Sequence, residues 1–232
     1  MKENKNRNYS YIKKIKEHAN SALKTFNEIP IETFLEETIE RKAILFDLFQ
    51  VGELVSQMTK NLQLSLDKKE FKEVIAVRNY IVHGYDYLDN EIIIDCLKNQ
   101  LAPFVDKLEI NAYKIYTNAI IDLIGETITV LVDHPVDETH KVNEGHLREL
   151  SSPNYELQQV VIVDLTEPVF QIKAKVIGAI KMNNEQDYIL LAALIDADYS
   201  ESQIIDLINQ KLHISDYELI MSKNQRKKIK NN

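Results

Sequence analysis

Apolar residues recur at three- and four-residue intervals from about Asn8 to Tyr116, and at two-residue intervals after Asn118. The chain therefore carries two periodicities, one helical and one strand-like. Tyr11, Ile12, Ile15, Ala19, Ala22, Leu23 and Phe26 form a first helical stripe. Pro30 is placed to open a second, long helix carrying Phe34, Leu35, Ile39, Ile44, Leu45, Leu48, Phe49, Val51 and Leu54. Asp67 followed by Glu70 has the spacing of a capping box and predicts a third helix through Phe71, Val74, Ile75 and Ile81, stopped by Gly84. A fourth is expected from about Asp89 to Tyr116, kinked at Pro103. Beyond it, TITVLVDH, VVIVDL, KAKVIGAIKM, DYILLAAL and YELIMS read as five short strands, with one helix, SESQIIDLINQKL, before the last. The expected fold is α+β in two domains, an antiparallel helical bundle and then a small β-barrel with a C-terminal helix. The change of period lies near residues 117 to 124, which divides the chain into 1–117, 118–222 and a tail, 223–232.

Composition narrows the setting. Hydrophobic residues make up 44% of the chain and charged residues 28%, ordinary values for a globular protein. No apolar run approaches the roughly 20 residues of a membrane span, and the polar N-terminus carries no secretory signal, so a cytoplasmic protein with no membrane partner is expected. Cys96 stands alone and reads as a buried small hydrophobe. The net charge of -8 is unevenly spread: the first half is close to neutral and the acidic excess lies in the second. Against it, Lys223, Arg226, Lys227, Lys228 and Lys230 crowd the tail, as a solvated end or a nucleic-acid-binding arm.

The stretch RNYIVHGYD, Arg78 to Asp86, puts Arg, Asn, His and Tyr at the end of the third helix, a combination that core packing does not require. At about 100° per residue, Arg78 and His83 project about 140° apart, and they converge only if the last turn before Gly84 distorts. A helix C-terminus favours a charged imidazole, and histidine exchanges protons near neutral pH. A guanidinium binds phosphate through two parallel hydrogen bonds. Together they suffice for RNA cleavage without metal: the imidazole takes the 2′-hydroxyl proton and the guanidinium steadies charge on the phosphorane. A histidine after a helix is also a common cap and an arginine on a helix a common solvated charge, so spacing by itself leaves both readings open.

Arg78-Asn79 followed by His83-x-Tyr85 resembles the R-N-x-x-x-H-x-Y signature of HEPN-domain ribonucleases, specifically the HepT-like toxins. The likeness covers the whole first half, including Gly52 and Glu53 of VGELVSQM, which match a Gly-Glu pair in that family. The resemblance implies a metal-independent endoribonuclease with no cofactor. Arg78 and His83 would be catalytic, with Asn79 and Glu53 in support. Tyr85 would match the tyrosine that a nucleotidyltransferase antitoxin modifies with AMP. It also implies a homodimer, whose two motifs face one cleft, and RNA as substrate.

From about Ile124 onward the chain resembles family I inorganic pyrophosphatases. GETITVLVDHP is similar to G-x-x-V-x-V-x-x-D-R-P, VNEG-HL to V-N-Y-G-Y-I, and SDYELIM to the family's last strand. The departures fall where metal-binding chemistry sits: Gln159 stands for an aspartate, His134 for the arginine of D-R-P, and Glu144 and His146 for two tyrosines. Asp133 and Glu156 alone do not rebuild the carboxylate cluster that pyrophosphate hydrolysis needs. An inactive pyrophosphatase-like barrel with a binding, regulatory or oligomerisation role is therefore expected. His134, His140 and His146 with Asp133 form a second metal candidate, weighed against ordinary surface histidines. The rival functions are a noncatalytic HEPN module that binds a nucleotide or partner, and a remodelled phosphohydrolase in which the barrel is the enzyme.

Overall fold

In the computed structural model, residues 5–58, 60–66, 68–83, 89–151, 157–182, 187–214 and 216–221 are described. The chain forms two compact units, Met1–Tyr113 and Lys114–Asn232. Helical and strand-like halves follow the order that the change of period predicts.

The first unit holds α1 (Lys5–Glu28), α2 (Ile31–Leu35), α3 (Ile39–Gln57), α4 (Lys60–Ser65), α5 (Lys68–His83), α6 (Asn90–Asp95) and the start of α7 (Leu101–Leu123). The expected long second helix is in fact two, α2 and α3. Thr38 makes the break: its side chain accepts from the Arg41 amide at 3.2 Å, the N-cap bond that starts α3. The short α4 also goes beyond the expected elements. Asp67, the expected cap of α5, lies outside the described residues.

The fourth helix departs from expectation twice. It carries a π-helical turn at Cys96–Gln100, just ahead of Pro103. Proline supplies no amide and crowds the carbonyl four residues earlier, here Asn99, so the wider turn accommodates it. The helix also continues past Tyr116 to Leu123, because Ile120 and Ile121 still face a core. Gly125, at φ +87°, ends it, and its amide donates to Val176 O at 2.8 Å, handing the chain directly to the first strand.

α3 packs against both α1 and α5. One buried cation ties the shorter elements to it. Arg41, 6% exposed, donates from Nη1 to Phe34 O at 2.8 Å and to Asn90 Oδ1 at 2.7 Å, with its guanidinium 5.2 Å from the centre of the Phe34 ring. It therefore joins α2, α3 and the start of α6. Arg41→Ala should cost about 3 kcal/mol, since a buried hydrogen-bonded charge is lost and its acceptors are left without a donor. A urea midpoint unchanged from wild type would overturn this.

The second unit contains β1 (Thr127–His134), β2 (Asn143–Ser151), β3 (Leu157–Ile162), β4 (Gln171–Met182), β5 (Tyr188–Ala193), α8 (Glu201–Leu207), a π-helical turn (Ile208–Leu212) and β6 (Tyr217–Ile220). Strands run in the order β1-β2-β3-β5-β4, and β4 pairs back to β1, closing a five-stranded barrel. β3 and β5 are parallel; every other pairing is antiparallel. β4 is long enough to serve both sides: Gln171–Lys175 pairs with β1, and its remainder pairs with β5 and β6. β2 is a strand that the expected five lack, while β6, expected from YELIMS, lies beside β4 and outside the closed ring of five.

Ser200 and Gln203 form a full capping box at the start of α8, which packs Ile204 and Ile208 onto Val161, Ile177, Ile180 and Leu191 of the barrel. At the other end, Tyr116 is fully buried and its hydroxyl donates to Gln158 Oε1 at 2.6 Å, while Gln158 Nε2 donates to Tyr188 O at 2.5 Å. That network fastens the last turns of α7 to β3 and β5. Asn143, also fully buried, donates to Leu165 O and Glu167 O at 3.1 and 3.0 Å and so holds the β3–β4 connection.

Candidate functional site

The site starts from a glycine. Gly52 lies in the middle of α3, where glycine costs about 1 kcal/mol relative to alanine. Its reason is the closeness of α5: a methyl group on Gly52 would overlap Arg78 Cβ and lie 2.9 Å from Arg78 Cγ. The missing side chain lets the stem of Arg78 rest on the backbone of α3. Glu53, the next residue, then meets the guanidinium, its Oε1 accepting from both Nε and Nη2 of Arg78. The two side chains are 25% and 31% exposed, so the pair is partly shielded but open to solvent on one side. Arg78 Nη1 donates to Asn79 Oδ1 at 2.6 Å. Among the described residues three of the five guanidinium N–H groups are thus engaged, leaving one on each terminal nitrogen. The arrangement is a fork held from behind by a carboxylate and an amide.

Arg78, Asn79 and Glu53 are therefore brought together, from two helices. His83 is the last residue of α5, within the same final turns as Arg78. Tyr85 and Gly84 lie outside the described residues. Sequence reasoning missed Tyr80, whose hydroxyl accepts from the Asp89 amide and so anchors the point where the chain re-enters α6. Asp89 in turn caps α6, accepting from Glu91 N at 2.9 Å.

The other candidates arrange differently. His134 and His140 stack face to face, ring centres 5.2 Å apart and planes 10° from parallel. His146 Nδ1 lies 2.6 Å from Asp133 Oδ2. Stacked rings do not aim their nitrogens at a common ion, and among the described residues no cluster of His, Cys, Asp and Glu suits a metal. Asp137 binds the Thr139 hydroxyl and the amides of Thr139 and His140, and these bonds hold its carboxyl below the usual carboxylate range. Gln159 is exposed on β3, and Glu156 lies outside the described residues. Cys96 is buried, which pushes its thiol up to about 12.

Residues 10–110 match the family model described as Ribonuclease HepT-like. That HepT-like segment runs from α1 into α7 and contains Gly52, Glu53, Arg78, Asn79 and His83. No curated protein and no solved structure matches the chain. The closed barrel that the strand pattern predicts is present, but its likeness to pyrophosphatases gains no support from these comparisons. No helix among the described residues is long and apolar enough to cross a membrane.

Proposed function

We propose that the chain is a HEPN-type endoribonuclease, the toxin of a toxin–antitoxin pair. The observation that carries this reading is the Glu53–Arg78–Asn79 constellation inside the segment similar to HepT-like ribonucleases. In the proposed reaction His83 removes the proton from a 2′-hydroxyl and O2′ attacks the adjacent phosphorus. The two open N–H groups of Arg78 steady the added negative charge, and O5′ leaves with a proton. The products are a 2′,3′-cyclic phosphate and a free 5′-hydroxyl. Two copies would pair through their helical units, and AMP carried on Tyr85 by a nucleotidyltransferase antitoxin would add negative charge beside Arg78 and fill the RNA path. A cytoplasmic setting follows from that role. The barrel, 118–222, would be an inactive pyrophosphatase-like module that binds or regulates.

One observation favours the alternative of a noncatalytic binding module: Glu53 already neutralises Arg78, which weakens its pull on phosphate. Both readings are separated by incubating the purified chain with RNA in EDTA. Cyclic-phosphate ends are the expected result, together with no phosphate release from pyrophosphate in Mg²⁺ above a blank. Intact RNA would leave the binding module. Pyrophosphate turnover near that of a working pyrophosphatase would make the barrel the enzyme.

A further inference from the structure

A cavity in the helical unit plays no part in the cleavage chemistry. It measures about 400 Å³ and lies between α3, α5 and the start of α7. Its floor is apolar: Leu48, Val51, Val77, Leu101 and Phe104, each no more than 8% exposed, line it beside the buried Cys96 thiol. Its mouth is polar, with Lys69 and Glu73 of α5 facing the exposed Asn99 and Gln100. Cys96, Asn99 and Gln100 all belong to the π-helical turn, and such wide turns within helices are frequent at functional sites. A buried apolar hollow with a few polar groups at one end has the form of a small-molecule site. Among the described residues, none of Glu53, Arg78 and Asn79 lines it, so binding here is separate from cleavage.

Charge at the mouth selects the occupant. A second hollow of about 520 Å³ adjoins the cavity and shares Glu73, Val77 and Gln100 in its wall. Four carboxylates, Glu73, Asp89, Glu91 and Asp95, line this hollow, and among the described residues no lysine or arginine does. At the cavity itself the cation is Lys69, whose side chain is 82% exposed and loosely paired with Glu73 at 3.7 Å. Lys72 and Lys98, exposed on the same two segments, line neither space. Asp95 accepts from Asn99 Nδ2 at 2.7 Å and from Gln100 Nε2 at 2.5 Å, which leaves both amide oxygens to accept from a ligand. The polar end is therefore negative and rich in acceptors. An anion would be repelled there, and a purely apolar molecule would cover these groups without a donor. A cavity of about 150 Å³ holds benzene, so this one accommodates a hydrocarbon body of about two rings.

We infer that this cavity binds an apolar amine, its hydrocarbon body among Leu48, Val77 and Phe104 and its protonated nitrogen at Glu73. The ammonium displaces the loosely held Lys69 from Glu73 and gives its remaining hydrogens to the Asn99 and Gln100 oxygens. Asp89, Glu91 and Asp95 in the adjoining hollow keep the local field favourable to a cation.

The test uses the full chain and three naphthalene probes of similar size: naphthylethylamine, naphthylethanol and naphthylacetate. Binding is read by naphthalene fluorescence, which the absence of tryptophan from the chain leaves unobscured. The amine should saturate one site and bind about tenfold tighter than the alcohol, with the carboxylate weakest. Glu73→Gln should cost the amine about tenfold and bring it level with the alcohol. Lys69→Met, which removes the competing cation, should tighten amine binding. Val74→Phe, in the cavity wall, should fill the space and abolish binding of amine and alcohol alike. Cys96→Met is a milder filling by a flexible side chain and should weaken both, with circular dichroism checking each fold. Equal affinity for amine and carboxylate, or an undiminished amine preference in Glu73→Gln, would overturn the inference. So would a folded filling variant that binds like wild type, or a wild-type chain that binds none of the three probes.

Discussion

Arg78→Ala should slow RNA cleavage by about 10²- to 10³-fold, the range seen when one preorganised donor to a developing oxyanion is removed. Nothing in the fold should be lost with it. The side chain is about a third exposed, and the surviving Glu53 reaches solvent on its open side. Arg78→Lys is the sharper variant. It keeps the charge but not the fork, and a lysine cannot hold Glu53 and Asn79 while presenting two further N–H groups to phosphate. It should therefore resemble the alanine variant more than the wild type. His83→Ala should lose about 10²- to 10⁴-fold as a missing general base. The double variant should lose much less than the product of the two, because residues acting as one unit are not additive. Single-turnover cleavage in EDTA measures all of these. Full activity in Arg78→Ala, or a lysine variant equal to wild type, would remove Arg78 from the chemistry and leave its bond to Glu53 as a helix-packing contact.

Gly52→Ala should both destabilise the helical unit and cripple cleavage. Propensity alone favours alanine in a helix interior by about 1 kcal/mol. The collision opposes this, because the new methyl would overlap Arg78 Cβ, an atom fixed by the backbone of α5 that cannot rotate away. α3 and α5 must then separate. Overpacking of that kind costs about 1–3 kcal/mol, and moving Arg78 by a fraction of an ångström to an ångström costs up to about 10²-fold in rate. Gly52→Val should be worse on both measures. The decisive companion is Gly52→Ala with Arg78→Gly, which removes the struck atom. It should recover the urea midpoint of Arg78→Gly alone but none of the activity. A Gly52→Ala chain as stable and active as wild type would mean that the helices do not approach as closely as the structure has them.

Much of this protein is legible from local pattern. The period of the apolar residues separates helices from strands, since side chains repeat every 3.6 residues on one and every two on the other. β1 emerges with the bounds that TITVLVDH suggests, and Ser200 with Gln203 caps α8 where the serine stands before its apolar run. Arg78, Asn79 and His83 are likewise visible, lying within six residues at the end of one helix. The break at Thr38 was present in the sequence too, but the helical stripe on either side of it is continuous and masks the cap.

Tertiary structure decided the rest. β2, NEGHLRELS, has no β-branched residue and several charges, yet it is a strand because β1 and β3 on either side supply its hydrogen-bond partners. Barrel closure depends on β4 returning to β1, a pairing between segments some 40 residues apart in sequence that no local period encodes. The reason for Gly52 lies across a helix crossing, in the stem of Arg78, and Glu53 reaches its partner over 25 residues of chain. Local sequence sets which faces are apolar and where helices start, because those effects act within one turn. Which residue meets which across the core is set by packing, where hard atoms exclude one another and each charge must find its partner.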